Sequence, residues 1–363
     1  MQDKLLEQFR TQIDSIDDEI LVLLEKRMGL VDEIGKHKKK SGGAIYRPER
    51  EKAILERLSN KDTRFLDDKA IGAIFQEIFG IARNLELPEK VAFLGPIGSY
   101  THQAAQERFG AMSEYVALNN VSSVFKALEQ KRVKYGVVPI ENNTNGMVGA
   151  TIDNLACSEL KIIAEIVLPI HHSLASKSEH LHTIKKIYSK DIAFGQCDEF
   201  LKSHNLDDLE LIPVDSTAKA AQLASNESAS GAICSKVAAK LYNLPIMFEN
   251  IEDSSNNKTR FVVISDFVNN PSGSDKTSVF ATLHNYKQSA ALLGLLEDFK
   301  HFGINITKID SRPIRSRSDF FGFGFYLDFK GHYLDEHIKS LFAKRAKELK
   351  WLGSYVCSYD FEE

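Results

Sequence analysis

The chain has little that would tie it to a metal, a nucleic acid or a membrane. Its four cysteines, Cys157, Cys197, Cys234 and Cys357, are scattered singly without metal spacing, which fits reduced thiols in a cytosolic protein. His171-His172 also has no partner at metal spacing. A net charge of −4 lacks the positive excess of a nucleic-acid footprint, so any anionic ligand must be met by local basic clusters. No stretch approaches ~18 uninterrupted apolar residues, and the amino terminus opens on Asp3, Lys4, Glu7 and Arg10 rather than on a signal-type apolar core. The Gly95–Ser99 turn does not match GxGxxG, and no acidic residue follows about 20 positions later in the expected context, so no nucleotide cofactor is expected. Low-complexity tracts and internal repeats are missing too. What remains is an ordinary cytoplasmic chain without metal or cofactor, and its 363 residues suffice for two or three domains.

What is present begins with the first forty residues. With Leu6 as position a of a heptad, the a and d positions are Leu6, Phe9, Ile13, Ile16, Ile20, Leu23, Arg27, Leu30, Ile34 and His37, eight of the ten apolar. This predicts one very long amphipathic helix. A guanidinium in that seam is costly unless an anion meets it. Arg10 and Lys38 flank the same seam but lie roughly 42 Å apart along one helix at 1.5 Å per residue, too far to share one small ligand. An antiparallel partner helix would bring Arg10 of one chain beside Arg27 and Lys38 of the other. The expectation is an intertwined homo-dimer, or a higher homo-oligomer, with two anion pockets between long helices.

Three blocks follow along the chain. Residues 1–88 read as all helix: the long helix, a break at Ser41-Gly42-Gly43, a second helix opening at Pro48 and a third from about Phe65 to Glu86. Residues 89–268 alternate strands (Lys90–Leu94, Tyr135–Pro139, Lys161–Val167, Lys185–Tyr188, Leu209–Val214, Gly231–Cys234, Arg260–Ile264) with helices (Val121–Gln130, Ile192–Ser203, Thr217–Ser225, Ser235–Leu241), an α/β pattern long enough for two lobes and a cleft. Asn269–Ser274 reads as a flexible linker by composition. Residues 275–357 run strand, helix, strand, strand, helix, strand, the ferredoxin-like βαββαβ order. The fold class is therefore multidomain.

Each block carries polar residues that suit a small dianion. The helical block offers Arg10, Arg27, Lys38, Arg50, Glu51 and Glu86, and guanidinium binds carboxylate bidentately. Position by position, this set resembles the helical chorismate mutase family. The resemblance implies an intramolecular Claisen rearrangement of chorismate to prephenate, in which the pocket holds the compact conformer and stabilises charge on the breaking ether oxygen. Arg10 from the partner chain and Arg27 would grip carboxylates, Lys38 and Glu86 would donate to the ether oxygen, and Arg50 and Glu51 would organise the substrate hydroxyl. Glu86 stands where the family often has Gln, and can donate only when protonated. Ala82 replaces a Ser, and Arg47 an Asp, of some relatives.

In the middle block, Gly95-Pro96-Ile97-Gly98-Ser99-Tyr100, Val138–Asn143, Tyr188-Ser189 with Gln196-Cys197, and Lys258-Thr259-Arg260-Phe261 together resemble prephenate dehydratase over 89–268. The resemblance implies a two-lobed fold of the periplasmic-binding-protein kind. It also implies loss of the ring carboxylate as CO2 with departure of the ring hydroxyl. Thr259 would be the essential hydroxyl, with Arg260 or Ser99 and its turn on a carboxylate. Asn142, Ser189 and Gln196 would line the opposite wall, with Glu141 and Asp215 near; Lys190-Asp191 replaces the His-Pro of relatives. Threonine is a poor acid, so proton delivery needs a relay or a neighbouring carboxyl.

Residues 275–357 resemble an ACT regulatory domain. This implies an L-phenylalanine site formed by Ala290, Ala291 and Leu292 at a helix start and by Asp310, Ser311, Arg312 and Pro313 at a strand end. Ala290 and Asp310 stand where the family usually has Gly and Glu. The combined expectation is a bifunctional enzyme taking chorismate through prephenate to phenylpyruvate under phenylalanine control. Two alternatives stand beside it: arogenate as the dehydratase substrate, or an amino-acid-binding sensor on a dimerising helical stalk.

Overall fold

The computed structural model describes residues 2–41, 47–86, 90–110, 113–283, 291–314 and 322–357. Leu87-Pro88-Glu89, Gly42-Gly43 and Ala290 lie outside the described residues, as do the side chains of Glu86 and Ser41. The heptad seam produces α1 (Gln2–Ser41), followed by α2 (Pro48–Ser59), with Pro48 in its first turn, and α3 (Asp68–Glu86). Helix α3 packs against both α1 and α2. The seam itself stays bare: Leu6, Phe9, Ile13, Ile16, Ile20, Leu23, Leu30 and Ile34 are each between 48% and 66% exposed.

A first α/β lobe follows, built from β1 (Lys90–Leu94), α4 (Tyr100–Phe109), β2 (Glu114–Leu118), α5 (Val121–Glu129), β3 (Tyr135–Asn142), β4 (Gly146–Met147), α6 (Gly149–Cys157) and β5 (Lys161–Pro169). The chain then crosses to a second lobe: β6 (Ser173–Ser176), β7 (Lys186–Ser189), α7 (Asp191–Gly195), α8 (Asp198–Ser203), β8 (Glu210–Pro213), α9 (Thr217–Ser225), β9 (Ser230–Cys234), α10 (Lys236–Leu241) and β10 (Ile246–Glu249). It returns to the first lobe as β11 (Lys258–Ser265). The first sheet is ordered β2-β1-β3-β11-β5, with β4 on β3, and the second β10-β6-β9-β7-β8. Two crossovers, at 170–172 and 250–257, thus join the lobes. The central strands read as continuous apolar runs because both faces are covered. Phe261, Val262, Val263 and Ile264 of β11 are all at most 1% exposed. Serine and asparagine caps start the surrounding helices: Ser99, Asn120, Ser216 and Ser235 each accept a backbone N–H of the first turn.

The last block forms β12 (Asp275–Thr282), α11 (Ala291–His301), β13 (Ile306–Ile314), β14 (Gly322–Lys330), α12 (Glu336–Lys344) and β15 (Leu349–Val356). Its antiparallel sheet has the order β13-β14-β12-β15, the ferredoxin-like arrangement. One face covers the helices α11 and α12 through Leu295, Phe299, Ile338 and Leu341. The other sends Phe280, Tyr326, Leu352 and Tyr355 into the core of the first lobe beside Val138, Ile152 and Val262.

Asn269–Ser274 corrects the expected flexible linker. Asn269 is buried and donates to the carbonyls of Ile163 and Ser354 at 2.6 and 3.2 Å, and Asp275 accepts the backbone N–H groups of Ser272 and Gly273. Polar composition here marks a hydrogen-bonded joint. The expected helix over Ile192–Ser203 is two helices, because the Asp253 carboxylate accepts the N–H groups of Asp198 and Glu199, each at 3.1 Å, and starts α8 afresh.

The backbones of β15 and β5 pack closely at Gly353, whose φ is +152° and where a Cβ would run into the nitrogen and carbonyl oxygen of Ile162. Gly353→Ala should therefore cost about 2 kcal/mol or more, read as a lowered midpoint in urea or thermal unfolding. An unchanged midpoint would mean that the two backbones do not meet so closely.

Candidate functional site

In the helical block the structure separates the expected cations along α1. Arg10 is exposed and pairs only with Glu7, at 3.0 Å, among the contacts described. Arg27 is half-buried with its guanidinium 5.9 Å from the Phe79 ring of α3, and burial lowers its pKa. Lys38 is half-buried near the far end of the helix and Arg50 is exposed on α2. Within one chain these four do not converge. Glu86 closes α3, its side chain outside the described residues.

Glu51 turns inward. Its carboxylate is engaged by Arg83 of α3, with the Arg108 guanidinium 3.9 Å away. Arg83 also donates to the Arg108 carbonyl at 2.7 Å and lies 5.6 Å from the Phe109 ring. Gln76 donates to the same carbonyl at 2.7 Å, and Gly80 lies so close that an added Cβ would be 2.9 Å from the Phe109 carbonyl oxygen. The C-terminal end of α4 is therefore clamped to the helical block through the residue that holds Glu51. Sequence reasoning missed Arg83. The signal was the one used for Arg27: a cation at a buried position of an apolar helix face, here beside Phe79 and Ala82.

In the α/β block, Thr259 and Asn142 are direct neighbours on β11 and β3. The Asn142 amide donates to Thr259 Oγ1 at 3.0 Å, and also to Asn257 Oδ1 and the Lys258 carbonyl. The Asn142 carbonyl oxygen accepts from the backbone of Thr144 and Asn145. With its oxygen already accepting, the Thr259 hydroxyl is set to donate its own proton outward. Ser99 caps α4, accepting from the His102 N–H at 3.2 Å, and donates to the Leu94 carbonyl. Ser189 is fully buried and donates to the Ile233 carbonyl at 2.8 Å, so its hydroxyl is committed within the second lobe.

Gln196 joins the crossovers. Its side-chain oxygen is 2.9 Å from His172 Nε2, while Tyr100 of α4 donates to the His171 carbonyl at 2.6 Å and lies 3.4 Å from His172 Nδ1. Glu252 of the second crossover takes the His172 N–H at 2.8 Å and the His171 ring at 2.6 Å. Burial pushes the Glu252 carboxyl up, but the His171 ring and the His172 N–H outweigh it and hold it low. The histidine pair, expected to have no metal role, ties the two crossovers together.

Arg260 and Glu141 face the other way. Arg260 reaches Asp328 at 2.7 Å, Glu165 at 3.3 Å and Glu141 at 3.1 Å. Glu141 also pairs with Lys308, and Glu165 with Lys276 at 2.9 Å. Burial pushes the Asp328 carboxyl up, and Arg260 with the Ser278 hydroxyl more than offsets it, so the group stays below the usual aspartate range. These residues do not share the face of Thr259 and Asn142. Asp215, expected near the cleft, is exposed just before the Ser216 cap of α9.

Of the expected effector segments, Ala291 and Leu292 open α11 and Asp310–Pro313 lie on the edge strand β13. Ala290 is outside the described residues. Arg312 pairs with Asp153 of α6 at 3.1 Å. Among the described residues no group of three or more metal-ligating side chains occurs, and no helix is long and apolar enough to cross a membrane. Burial pushes the Cys234 thiol up to about 12 and Cys197 up as well, leaving both unreactive.

Comparison with known proteins covers nearly the whole chain. Residues 9–87 match the family model "Chorismate mutase type II" and residues 91–268 match "Prephenate dehydratase". The bifunctional chorismate mutase/prephenate dehydratase of Aquifex aeolicus is 40% identical over 358 residues, covering 96% of this chain and 97% of the relative. That of Neisseria gonorrhoeae is 38% identical, covering 97% of each. Among solved structures, the prephenate dehydratase of Arthrobacter aurescens in complex with L-Phe superposes with a TM-score of 0.68 at 30% identity, covering 74% of this chain and 90% of that one.

The crossover contacts carry a pH signature. Burial draws the His172 imidazole below its ordinary value of 6.5, although the Gln196 contact favours the charged form. Below that value the unfolded chain binds more protons than the folded one. The stability is thus fully present above about pH 6.5 and is lost as the pH falls towards the depressed folded value. Between pH 7.5 and 5.5, values bracketing roughly the ordinary histidine range, the wild-type melting temperature should fall further than that of His172→Gln. Parallel slopes would remove His172 as the acid-sensitive group.

Proposed function

The chain belongs to the family of bifunctional chorismate mutase/prephenate dehydratases, and from that membership we propose how its residues divide the work. It is an enzyme of phenylalanine biosynthesis that rearranges chorismate to prephenate, then dehydrates and decarboxylates prephenate to phenylpyruvate.

For the first step, two copies of the chain lay their α1 seams together. The bare apolar stripe from Leu6 to Ile34 supports this, since burying each such side chain fully is worth about 1.5–3 kcal/mol. The second copy would bring its Arg10 to the Arg27 and Lys38 of the first. Arg10 and Arg27 hold the two carboxylates, Lys38 and a protonated Glu86 donate to the ether oxygen, and Arg50 and Glu51 orient the ring hydroxyl. No covalent intermediate is needed; the pocket holds the folded conformer and stabilises the charge that develops as the C–O bond breaks.

For the second step, the observation that carries the reading is the Asn142 amide donating to Thr259 Oγ1. It aims the remaining hydroxyl proton away from Asn142, towards a leaving group in the cleft. The bond from the ring to its carboxylate breaks and releases CO2. That electron pair enters the ring, and the ring C–O bond breaks as the hydroxyl departs with a proton. Aromatisation drives the step, so orientation and proton donation suffice. Ser99 and the α4 turn, with Gln196 and Ser189 behind the opposite wall, frame the cleft. Residues 275–357 act as an ACT domain binding L-phenylalanine through Ala290–Leu292 and Asp310–Pro313; the ferredoxin-like order of this sheet supports that assignment. The enzyme works in the cytoplasm.

Purified protein given chorismate should form prephenate and then phenylpyruvate, the second product falling when phenylalanine is added. Thr259→Ala should accumulate prephenate, with phenylpyruvate formation down by about 100-fold or more and mutase turnover kept. Equal loss of both activities, or of neither, would count against Thr259 as the donor. Mutase activity should decline as the pH rises through the Glu86 pKa, because only the protonated acid donates, and Glu86→Gln should flatten that profile. A flat wild-type profile between about pH 5 and 8, spanning perturbed glutamate values, would remove Glu86 from the ether oxygen.

A further inference from the structure

Arg260 follows the catalytic threonine in sequence, yet its guanidinium is bound into the joint with the C-terminal domain. We propose that Arg260 and Glu141 are positioning residues for the dehydratase step, held in place by Asp328 and Lys308 of the C-terminal domain. The inference rests on the dehydratase reading of Thr259 and Asn142.

The geometry is one of alternation. In a strand, adjacent side chains take opposite faces. Thr259 and Asn142 face each other on β11 and β3, and so do their successor and predecessor, Arg260 and Glu141. Whatever fixes the second pair therefore fixes the first, one peptide away on each strand. Arg260 is held by Asp328 at 2.7 Å and Glu141 by Lys308. Lys308 stands on β13, two residues before Asp310 and the segment assigned to the effector. A continuous chain of contacts thus runs from the effector strand through Lys308, Glu141 and Arg260 to both cleft residues.

Charge shows that the network belongs to the joint. Arg260, Glu141 and Glu165 on the dehydratase side sum to −1; Lys276, Lys308 and Asp328 on the other side sum to +1. Only the docked domains bring the six charges to neutrality. Buried ion networks give little net stability, because desolvation offsets most of the Coulomb gain, whereas they define geometry well. The charges also line a cavity of about 330 Å³ between the domains, which leaves room for the side chains to rearrange. A substrate role for Arg260 is disfavoured: its side chain is only 10% exposed and faces three carboxylates.

The test uses the full-length enzyme, with mutase activity as an internal control. Asp328→Asn and Lys308→Gln should each lower the kcat for prephenate by about tenfold or more, with KM within about twofold and mutase turnover unchanged. Arg260→Lys, which keeps the charge but loses the forked geometry, should behave like Asp328→Asn. Lys308→Gln should also blunt the response to phenylalanine. Should the buried Asp328→Asn variant fail to fold, the more accessible Lys308→Gln alone decides. Unchanged kcat in Lys308→Gln, or a rise in KM alone for Arg260→Lys, would overturn the proposal and return Arg260 to a substrate contact. If the wild-type enzyme makes no phenylpyruvate from prephenate, it is the dehydratase reading itself that fails.

Discussion

Two neighbouring residues of a strand cannot face the same way, and at Thr259-Arg260 that rule divides one short motif between two domains. The hydroxyl takes the face of Asn142, proposed as the cleft wall, and the guanidinium takes the face covered by the C-terminal sheet. Because β11 lies between β3 and β5, it is also the strand by which the chain returns from the second lobe. Its placement sets the cleft wall, the crossover that precedes it and the surface on which the C-terminal domain sits. Moving β11 by one residue would exchange the two faces, putting a buried cation in the cleft and a hydroxyl among carboxylates.

How far this could be read in the sequence depended on whether the deciding partner was near or far along the chain. The seam of α1, the apolar run of β11 and the helices α9 and α10 are local patterns, and each appeared where the sequence pattern put it. The short strands β2, β6 and β10 escaped notice. Ser173–Ser176 has no β-branched residue, and it is a strand because β9 and β10 hold it on both sides. The break between α7 and α8 depends on Asp253, more than fifty positions further on. The ion pairing of Arg260 was hidden for the same reason: Asp328, which it reaches at 2.7 Å, is 68 residues away. Asn269–Ser274 looked like a tether because polar residues that satisfy buried carbonyls have the same composition as polar residues in solvent.

The helical block poses the converse problem, since its cations are legible and their convergence is not. Arg10 and Arg27 are separated by about 26 Å along α1 at 1.5 Å per residue, and the stripe between them is apolar and open. In the proposed dimer the same surface does two things. Burying the stripe supplies the association energy, and the antiparallel crossing carries Arg10 to the anion pocket of the other copy. Assembly and catalysis are then one event, because no arrangement of a lone chain brings these charges together.

Arg83 links the helical block to the α/β block. It holds Glu51 on one side and the Arg108 carbonyl on the other, at the C-terminal end of α4. The opposite end of α4 begins at the Ser99 cap and Tyr100, and Tyr100 reaches the crossover at His171. A ten-residue helix is short and stiff, about 15 Å from end to end. Any shift of Glu51 towards a bound ring hydroxyl must either break the Arg83 contact or carry the end of α4 with it. Close backbone packing at Gly80 against Phe109 ties α3 to the end of α4, so movement of α3 is passed on to that end. In the proposed reading the mutase pocket and the dehydratase cleft are joined through one helix, while the C-terminal domain reaches β11 from its other face.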